Sequence, residues 1–318
     1  MKYIRLHTTD PYLNLAIEEY LFAHTRDDVF MLWQNRPTVV IGKNQNAYAE
    51  VNLSYAGEAG ITVSRRITGG GAVYHDLGNV NYTFITSADR AEALDYAYFT
   101  RPIIEALADL GLVCELSGRN DLLCEGKKFS GNAQYSTGGR ILHHGTLLFD
   151  SDTAVMQQVL KVNREKLEYH AVKSHQSRVV NLRSLMSEPI TTEAFIDAIE
   201  ARVAAAAEIT SPPENEEIQR LYRRNTGAEW IYSDRRYLTD YTVYRQKKYP
   251  FGMVKAEIKR NKTRIDGIAI SGDFFGNAPI EELEAQLIGQ EAGALSPIDP
   301  APYIAGMTFD ELQALLLE

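Results

Sequence analysis

Lys127 to Asp150 reads Lys-Lys-Phe-Ser-Gly-Asn-Ala-Gln-Tyr-Ser-Thr-Gly-Gly-Arg-Ile-Leu-His-His-Gly-Thr-Leu-Leu-Phe-Asp. Two runs of strand-forming residues flank Gly138-Gly139, and a third run, ending at Cys124, lies before Glu125-Gly126. Glycine-containing pairs between such runs are hairpin turns, so the stretch is expected to be three antiparallel strands in a meander. Side chains alternate along a strand, which puts Lys128, Ser130, Asn132 and Gln134 on one face and Lys127 on the other. That polar face is either the solvent side of the sheet or a surface for a polar ligand. Lys127 reads as a solvated lysine at a turn.

Upstream, Arg65 to Asp76 reads Arg-Arg-Ile-Thr-Gly-Gly-Gly-Ala-Val-Tyr-His-Asp. Glycine loses more freedom on ordering than any other residue, so three in a row need a reason. Tight turning is one; backbone N–H groups approaching a ligand that a Cβ would block is another. With two arginines before the glycines and a histidine after them, the stretch suits an anion, phosphate above all. Ile61–Arg66 should feed this loop as a strand and Asn79–Thr86 should leave it as another.

The first element is expected to be a helix, with Asp10 as N-cap and Pro11 in the first turn. Its apolar face is Leu13, Ala16, Ile17, Tyr20 and Leu21, with Glu18 and Glu19 turned away. Phe30–Trp33 and Thr38–Ile41 read as strands; Trp33 is a core residue on composition, with a pocket wall as the alternative. Helices are expected over 91–112, 151–163, 191–207 and 216–224. Ser177 to Leu182 carries Arg178, which could reach a phosphate. Composition turns to tyrosine, arginine and lysine around 237–250, and the domain boundary is placed there. A small module of a hairpin (252–259, 265–270) and two helices (280–287, 309–317) follows.

The 318 residues suit one large domain and a smaller one, and a net charge of −9 argues against a nucleic-acid-binding surface. Two cysteines, Cys114 and Cys124, are too few for a disulfide scaffold. No signal-like or membrane-length apolar run is present, so the expectation is a cytoplasmic protein with no membrane partner.

The dense stretches resemble the lipoate–protein ligase family: Arg-Arg-x-Thr-Gly-Gly-Gly-Ala-Val-Tyr-His-Asp, then Lys-Phe-Ser-Gly-x-Ala, then His-His-Gly-Thr-Leu-Leu. Asn-Leu-Ala-x-Glu-Glu at Asn14–Glu19, Val-Val-Ile-Gly-x-x-Gln-Asn at Val39–Asn46, Gly-Arg-Asn-Asp at Gly118–Asp121 and Ser-Arg-Val-x-Asn-Leu at Ser177–Leu182 agree in order. The resemblance implies an α+β fold: a mixed, largely antiparallel sheet flanked by helices, like class II synthetases and biotin ligases. A catalytic domain over 1–243 and a small α+β accessory domain over 244–318 are expected, as a monomer.

It also implies a two-step reaction. Lipoate and MgATP give lipoyl-AMP and pyrophosphate, and a lysine on an acceptor lipoyl domain then displaces AMP. The acceptors are E2 subunits of 2-oxoacid dehydrogenases and the glycine-cleavage H protein. Lys128 matches the family lysine that bridges the lipoate carboxylate and the α-phosphate, a role for a compact ammonium. Arg66, the N–H groups of Gly71, Ala72, Val73 and Tyr74, and Arg178 and Asn181 would bind ATP. Trp33, Gly70, Gly71, His75 and His144 would join Lys128 around lipoate, and Asp121 would be the Mg²⁺ ligand. Arg65 is expected to be structural. Three alternatives stay open: an octanoyl- or lipoyl-transferase using Cys124 or Cys114 without ATP, a biotin ligase, and a non-catalytic lipoyl-binding protein.

Overall fold

Left-handed backbone at Glu125-Gly126 and Gly138-Gly139 closes two tight turns, and the meander forms around them. Its strands are β8 (Asp121–Cys124), β9 (Lys127–Thr137) and β10 (Arg140–Leu148). They are seen in a computed structural model that describes residues 1–92, 94–118, 120–161, 179–233 and 240–317. The described chain divides into two compact units. The first holds Met1–Val40, Val51–Ser64 and Val73–Thr226; the second holds Ile41–Glu50, Arg65–Ala72 and Gly227–Glu318.

In the first unit the meander extends into an eight-stranded sheet. It also uses β1 (Lys2–Arg5), β2 (Val29–Trp33), β6 (Asn79–Ser87), β7 (Cys114–Ser117) and β11 (Glu208–Ile209). The order is β11-β1-β2-β6-β10-β9-β8-β7. β1 pairs parallel with β2 and β11, and the pairs from β2 to β7 are antiparallel, so the sheet is mixed and largely antiparallel as expected. The first element is therefore β1 and not a helix. Four residues starting at the second position carry no period long enough to announce a strand.

Helix α1 (Pro11–His24) starts where the sequence says: Asp10 accepts from the N–H groups of Tyr12 and Leu13, and Pro11 sits in the first turn. Glu18 is not turned away to water; it is 1% exposed, and Asn14, four residues earlier, is buried beside it on the helix. The expected helix over 91–112 is shorter, Tyr96–Asp109, because Asp95 caps it and Leu94 holds a left-handed φ of 68° that no helix contains. The helices over Thr192–Val203 and Glu216–Asn225 lie within the expected spans to two residues or so.

One face of this sheet is the main core. Phe30, Leu32, Val80, Tyr82, Leu122, Cys124, Phe129 and Leu147 pack there with Ile103, Leu107, Phe149 and Phe195. A smaller sheet has the order β4-β3-β5, from β4 (Thr62–Arg65), β3 (Thr38–Ile41) and β5 (Val73–His75). β5 is a strand inside the stretch read as loop; Thr38, Val39 and Val40 pair with His75, Tyr74 and Val73.

In the second unit the expected hairpin is a three-stranded sheet, β12 (Val243–Tyr249), β13 (Gly252–Asn261) and β14 (Arg264–Gly272). β12 shows no clear alternation in sequence, because its charged residues mask it. Helices Ile280–Leu287 and Phe309–Leu317 have the expected bounds, and they cover a core of Val254, Ala256, Ile258, Ile270, Leu283, Leu312 and Leu316. No helix among the described residues is long and apolar enough to cross a membrane.

Candidate functional site

The first unit carries its candidate residues on the sheet face that meets α1. His144 on β10 is directly opposite Thr83 on β6 and Ala133 on β9, and Met31 on β2 is opposite Thr83, so all four point to one side. Trp33, two residues beyond Met31, shares that side. Its indole Nε1 donates to Thr83 Oγ1 at 3.0 Å, and Thr83 donates to Glu18 Oε1 at 2.7 Å. His144 Nδ1 lies 2.9 and 3.1 Å from the two oxygens of the same carboxylate. A carboxylate only accepts, so Nδ1 carries a hydrogen.

This chain of Trp33, Thr83, Glu18 and His144 is buried throughout. Glu18 thus joins the candidate residues through Thr83 and His144, a placement that the hydrophobic period missed. A buried carboxylate is costly unless its oxygens find donors, and here Thr83 and His144 both hydrogen-bond it. Asn14 and Glu18, polar and four apart on one helical face, were the available signal.

His75 is set by β5. Asn35 receives a hydrogen bond from Asn14 on its Oδ1 and offers Nδ2 to His75 Nδ1 at 3.0 Å, which places the imidazole hydrogen on Nε2. The Trp33 ring meets His75 edge-on, with centroids 6.1 Å apart. Tyr74, next to His75, is buried, and burial with the charges of Asp76 and Asp152 nearby pushes its hydroxyl up to about 12.

Lys128 does not share a face with Ser130, Asn132 and Gln134. β8 and β9 slip in register: Leu122 pairs with Ser130, but Leu123 pairs with Lys128. The extra residue, Phe129, makes a bulge that reverses the alternation on its N-terminal side. Phe129 turns into the core, and the Lys128 ammonium lies over Gly131, where a Cβ would sit 3.4 Å from Nζ. Gly131 and Ala133 share a face by alternation, so the bulge brings Lys128 to the side of His144. There Lys128 Nζ is 2.7 Å from Asp121 Oδ1. Lys127 is exposed.

Ser130, Asn132 and Gln134 lie on the other face, in a closed network. Tyr82 donates to Asn132 Oδ1, and Asn132 Nδ2 donates to Ser130 Oγ at 3.3 Å and to the Asn120 carbonyl at 3.0 Å. Gln134 accepts from the Leu94 N–H, so its Nε2 donates to His143 Nδ1 at 3.0 Å. His143 Nε2 then donates to Asn132 Oδ1 at 3.2 Å. Burial, with His144 adjacent, holds His143 well below the ordinary histidine value. The polar face is neither a solvent side nor a ligand surface.

Asn181 spends its whole amide on Ser151, accepting from its N–H at 3.0 Å and donating to its carbonyl at 2.9 Å. It braces the chain that follows Val179-Val180, where the Val180 N–H donates to the Lys128 carbonyl. Arg178 lies outside the described residues. Cys124 is a core residue, 2% exposed, packed with Leu122 and Phe129.

The second unit carries the glycine loop. Arg65 is structural as expected: its guanidinium donates to the carbonyls of Gly42, Lys43 and Gln45 and to those of Trp230 and Ile231. Arg66 also turns inward. It donates to Thr68 Oγ1 at 2.9 Å and to the carbonyls of Gly69 and Gly71 at 2.7 and 2.8 Å.

The three glycines have different reasons. A Cβ on Gly69 would lie 2.3 Å from the Phe274 carbonyl oxygen, and Gly70 holds φ +91°. Gly71 meets nothing within 4 Å and needs no left-handed backbone, so the folded chain does not explain it. No group of three or more metal-ligating side chains occurs among the described residues, and Asp121 is the carboxylate beside Lys128.

Comparison with known proteins agrees with this architecture. Residues 10–204 match the family model for the lipoyl protein ligase A/B catalytic domain, and residues 239–316 match the bacterial lipoate protein ligase C-terminus. Lipoate-protein ligase LplJ of Bacillus subtilis (strain 168) is 37% identical over 96% of this chain and 97% of its own length. The fold is similar to that of P. falciparum LipL1, solved in complex with lipoate, at a TM-score of 0.77 and 23% identity over 91% of this chain and 90% of that one. It is also similar to a lipoate-protein ligase A crystallised with ATP, at a TM-score of 0.59 and 25% identity over 72% of this chain and 97% of that one. The chain belongs to the lipoate–protein ligase family of ATP-dependent ligases.

Proposed function

We propose that this enzyme activates free lipoate with MgATP to lipoyl-AMP and transfers the lipoyl group to a lysine of apo lipoyl domains. The acceptors in this reading are the E2 subunits of 2-oxoacid dehydrogenases and the glycine-cleavage H protein. A carboxylate attacking an α-phosphate must approach another anion, and Lys128 is the cation set between them. The observation that carries this is the bulge at Phe129, which takes Lys128 away from the closed network and sets it on the side of His144. An ion pair between groups that are each 39% exposed is weak enough to exchange, so Asp121 holds the ammonium until an anionic substrate replaces it.

Backbone N–H groups of Gly71, Ala72, Val73 and Tyr74 bind the nucleotide in this reading. Arg66 holds the loop that offers them, and its charge favours the anion. One well-aimed donor of this kind contributes about 3–4 kcal/mol in the transition state. Gly70 and Gly71 admit lipoate to the backbone, and the openness around Gly71 supports that use. Trp33, His75 and His144 line the apolar end of the substrate. The lipoate carboxylate needs no base, so His144, fixed through Nδ1 by Glu18, and His75, fixed through Nδ1 by Asn35, act in positioning.

Asp121 is the carboxylate offered to Mg²⁺ carried in on the phosphates, since Mg²⁺ usually takes one or two carboxylates besides phosphate oxygens. Arg178 and Asn181 complete the ATP-binding set in this reading, Asn181 from a position held by its two bonds to Ser151. The catalytic domain spans 1–243 and the accessory domain 244–318, in a monomer.

The test is pyrophosphate release with lipoate, octanoate or biotin, followed by transfer to an apo lipoyl domain, with and without ATP. Lipoate- and ATP-dependent release with transfer is the expected result. Transfer without ATP that is lost in Cys124→Ser would contradict it; the burial of Cys124 in the core already argues against that route.

A further inference from the structure

The chain has two cysteines in 318 residues, and the fold sets them face to face. Cys114 opens β7 and Cys124 closes β8, and the two are direct partners in the antiparallel register. Directly opposed residues have Cα atoms about 4.5–5.5 Å apart and side chains on the same face. That lies within the Cα separation of about 4.4–6.8 Å that a disulfide spans, so no backbone rearrangement is needed to join them. Both are free thiols in this structure.

They are unequal in access. β7 is the outer strand of the eight-stranded sheet, and Cys114 follows Val113, which is 86% exposed. Cys114 itself is half-buried, whereas Cys124 is buried behind it. One thiol can meet a reagent at the sheet edge, and the other stands in line to resolve it. Burial first, and then a hydrogen bond that the Cys114 thiol gives to Cys124, push the Cys114 thiol up. Reaction therefore waits for a minority thiolate, and the dithiol is the resting state in a reducing compartment.

We propose that Cys114 and Cys124 form a reversible cross-strand disulfide when the protein meets a small-molecule disulfide. The Cys114 thiolate attacks one sulfur of the reagent RSSR, forming a mixed disulfide and releasing one thiolate. The Cys124 thiolate then attacks Cys114 Sγ, forming the intrachain bond and expelling the second thiolate. The two protein thiols are oxidised by two electrons, the reagent is reduced to two RSH, and the two cysteine protons end on those thiols. The bond closes a ring that contains Asp121 and adds a covalent link between two strands that are direct neighbours at this position. Closing such a ring restrains the unfolded chain, so the oxidised form resists unfolding more than the reduced form.

The test is incubation of the full chain with excess glutathione disulfide, then alkylation under denaturing conditions and mass spectrometry. The expected product lacks the mass of two hydrogens, takes up no alkylating reagent at Cys114 or Cys124, and regains both sites after dithiothreitol. The oxidised chain should also unfold at a higher urea midpoint. Cys114→Ser, at the half-buried position, should give neither the mass loss nor the midpoint shift on treatment. Three results would overturn the proposal: two alkylated cysteines in the treated wild type, a stable glutathione adduct on Cys114 with Cys124 free, or a disulfide-linked dimer. None of these readouts depends on ligase turnover, so they stand apart from the lipoylation reading.

Discussion

The two faces of the eight-stranded sheet carry adjacent histidines with opposite fates. His143 and His144 are neighbours on β10, and each is buried within a chain of polar side chains. On the His143 face the chain closes on itself: Tyr82, Asn132, Ser130, Gln134 and the Asn120 backbone give His143 one acceptor and one donor. On the His144 face the chain runs from Trp33 through Thr83 to a buried carboxylate, and the bulge adds an ammonium that is still partly exposed. A buried polar group is therefore not in itself a sign of a site. The face proposed to take substrate differs in carrying charge, part of it in the partly exposed pair of Lys128 and Asp121.

The largest effect in breaking this contrast should come from the closed face. A Cβ on Gly145 would lie 2.2 Å from Asn132 Oδ1 and 2.6 Å from the Tyr82 ring. Gly145→Ala must push the network apart, leaving buried polar atoms unsatisfied, and should cost about 3 kcal/mol in urea unfolding. A loss below roughly 0.5 kcal/mol would show that the network tolerates opening.

The second effect is the pH dependence of the same face. His143 accepts from Gln134 on Nδ1 and donates from Nε2, so protonation breaks a bond, and burial lowers its affinity for the proton. The unfolded chain then binds a proton that the folded chain refuses. This contribution is complete above about pH 6.5 and is lost as pH falls below that value. Measured stability between pH 7 and pH 5 should fall less steeply in His143→Gln; an unchanged slope would contradict the assignment.

A smaller effect on stability, with a larger one on function, is expected at the glycine loop. Gly71→Ala should leave stability within about 0.5 kcal/mol, because nothing lies where its methyl would go. In the lipoate-binding reading, the same change should raise the KM for lipoate or ATP. Gly69→Ala should destabilise strongly, since its methyl would meet the Phe274 carbonyl. Equal stability losses at the two positions would erase the distinction.

Much of the fold could be read from local chemistry. Asp10 with Pro11, the turns at Glu125-Gly126 and Gly138-Gly139, and the helices at Ile280–Leu287 and Phe309–Leu317 are dictated by a few residues each, and they stand where those residues put them. The features that failed depend on partners far away in sequence. Lys128 changes face through one inserted residue, and the run Lys-Phe-Ser-Gly has no mark that tells a bulge from regular pleating. Glu18 looks solvent-facing on any hydrophobic scale, because its partners, Thr83 and His144, are 65 and 126 residues away. β1 and β5 are too short to show a period.

In the adenylation reading, the bulge at Phe129 selects Lys128, and not its neighbour Lys127, as the lysine that bridges carboxylate and phosphate. The direct measurement is ATP- and lipoate-dependent pyrophosphate release by Lys128→Ala and Lys127→Ala, with urea unfolding confirming that both fold. Loss of release in Lys128→Ala, with Lys127→Ala close to wild type, is the predicted result. Release retained in Lys128→Ala, or lost only in Lys127→Ala, would contradict it.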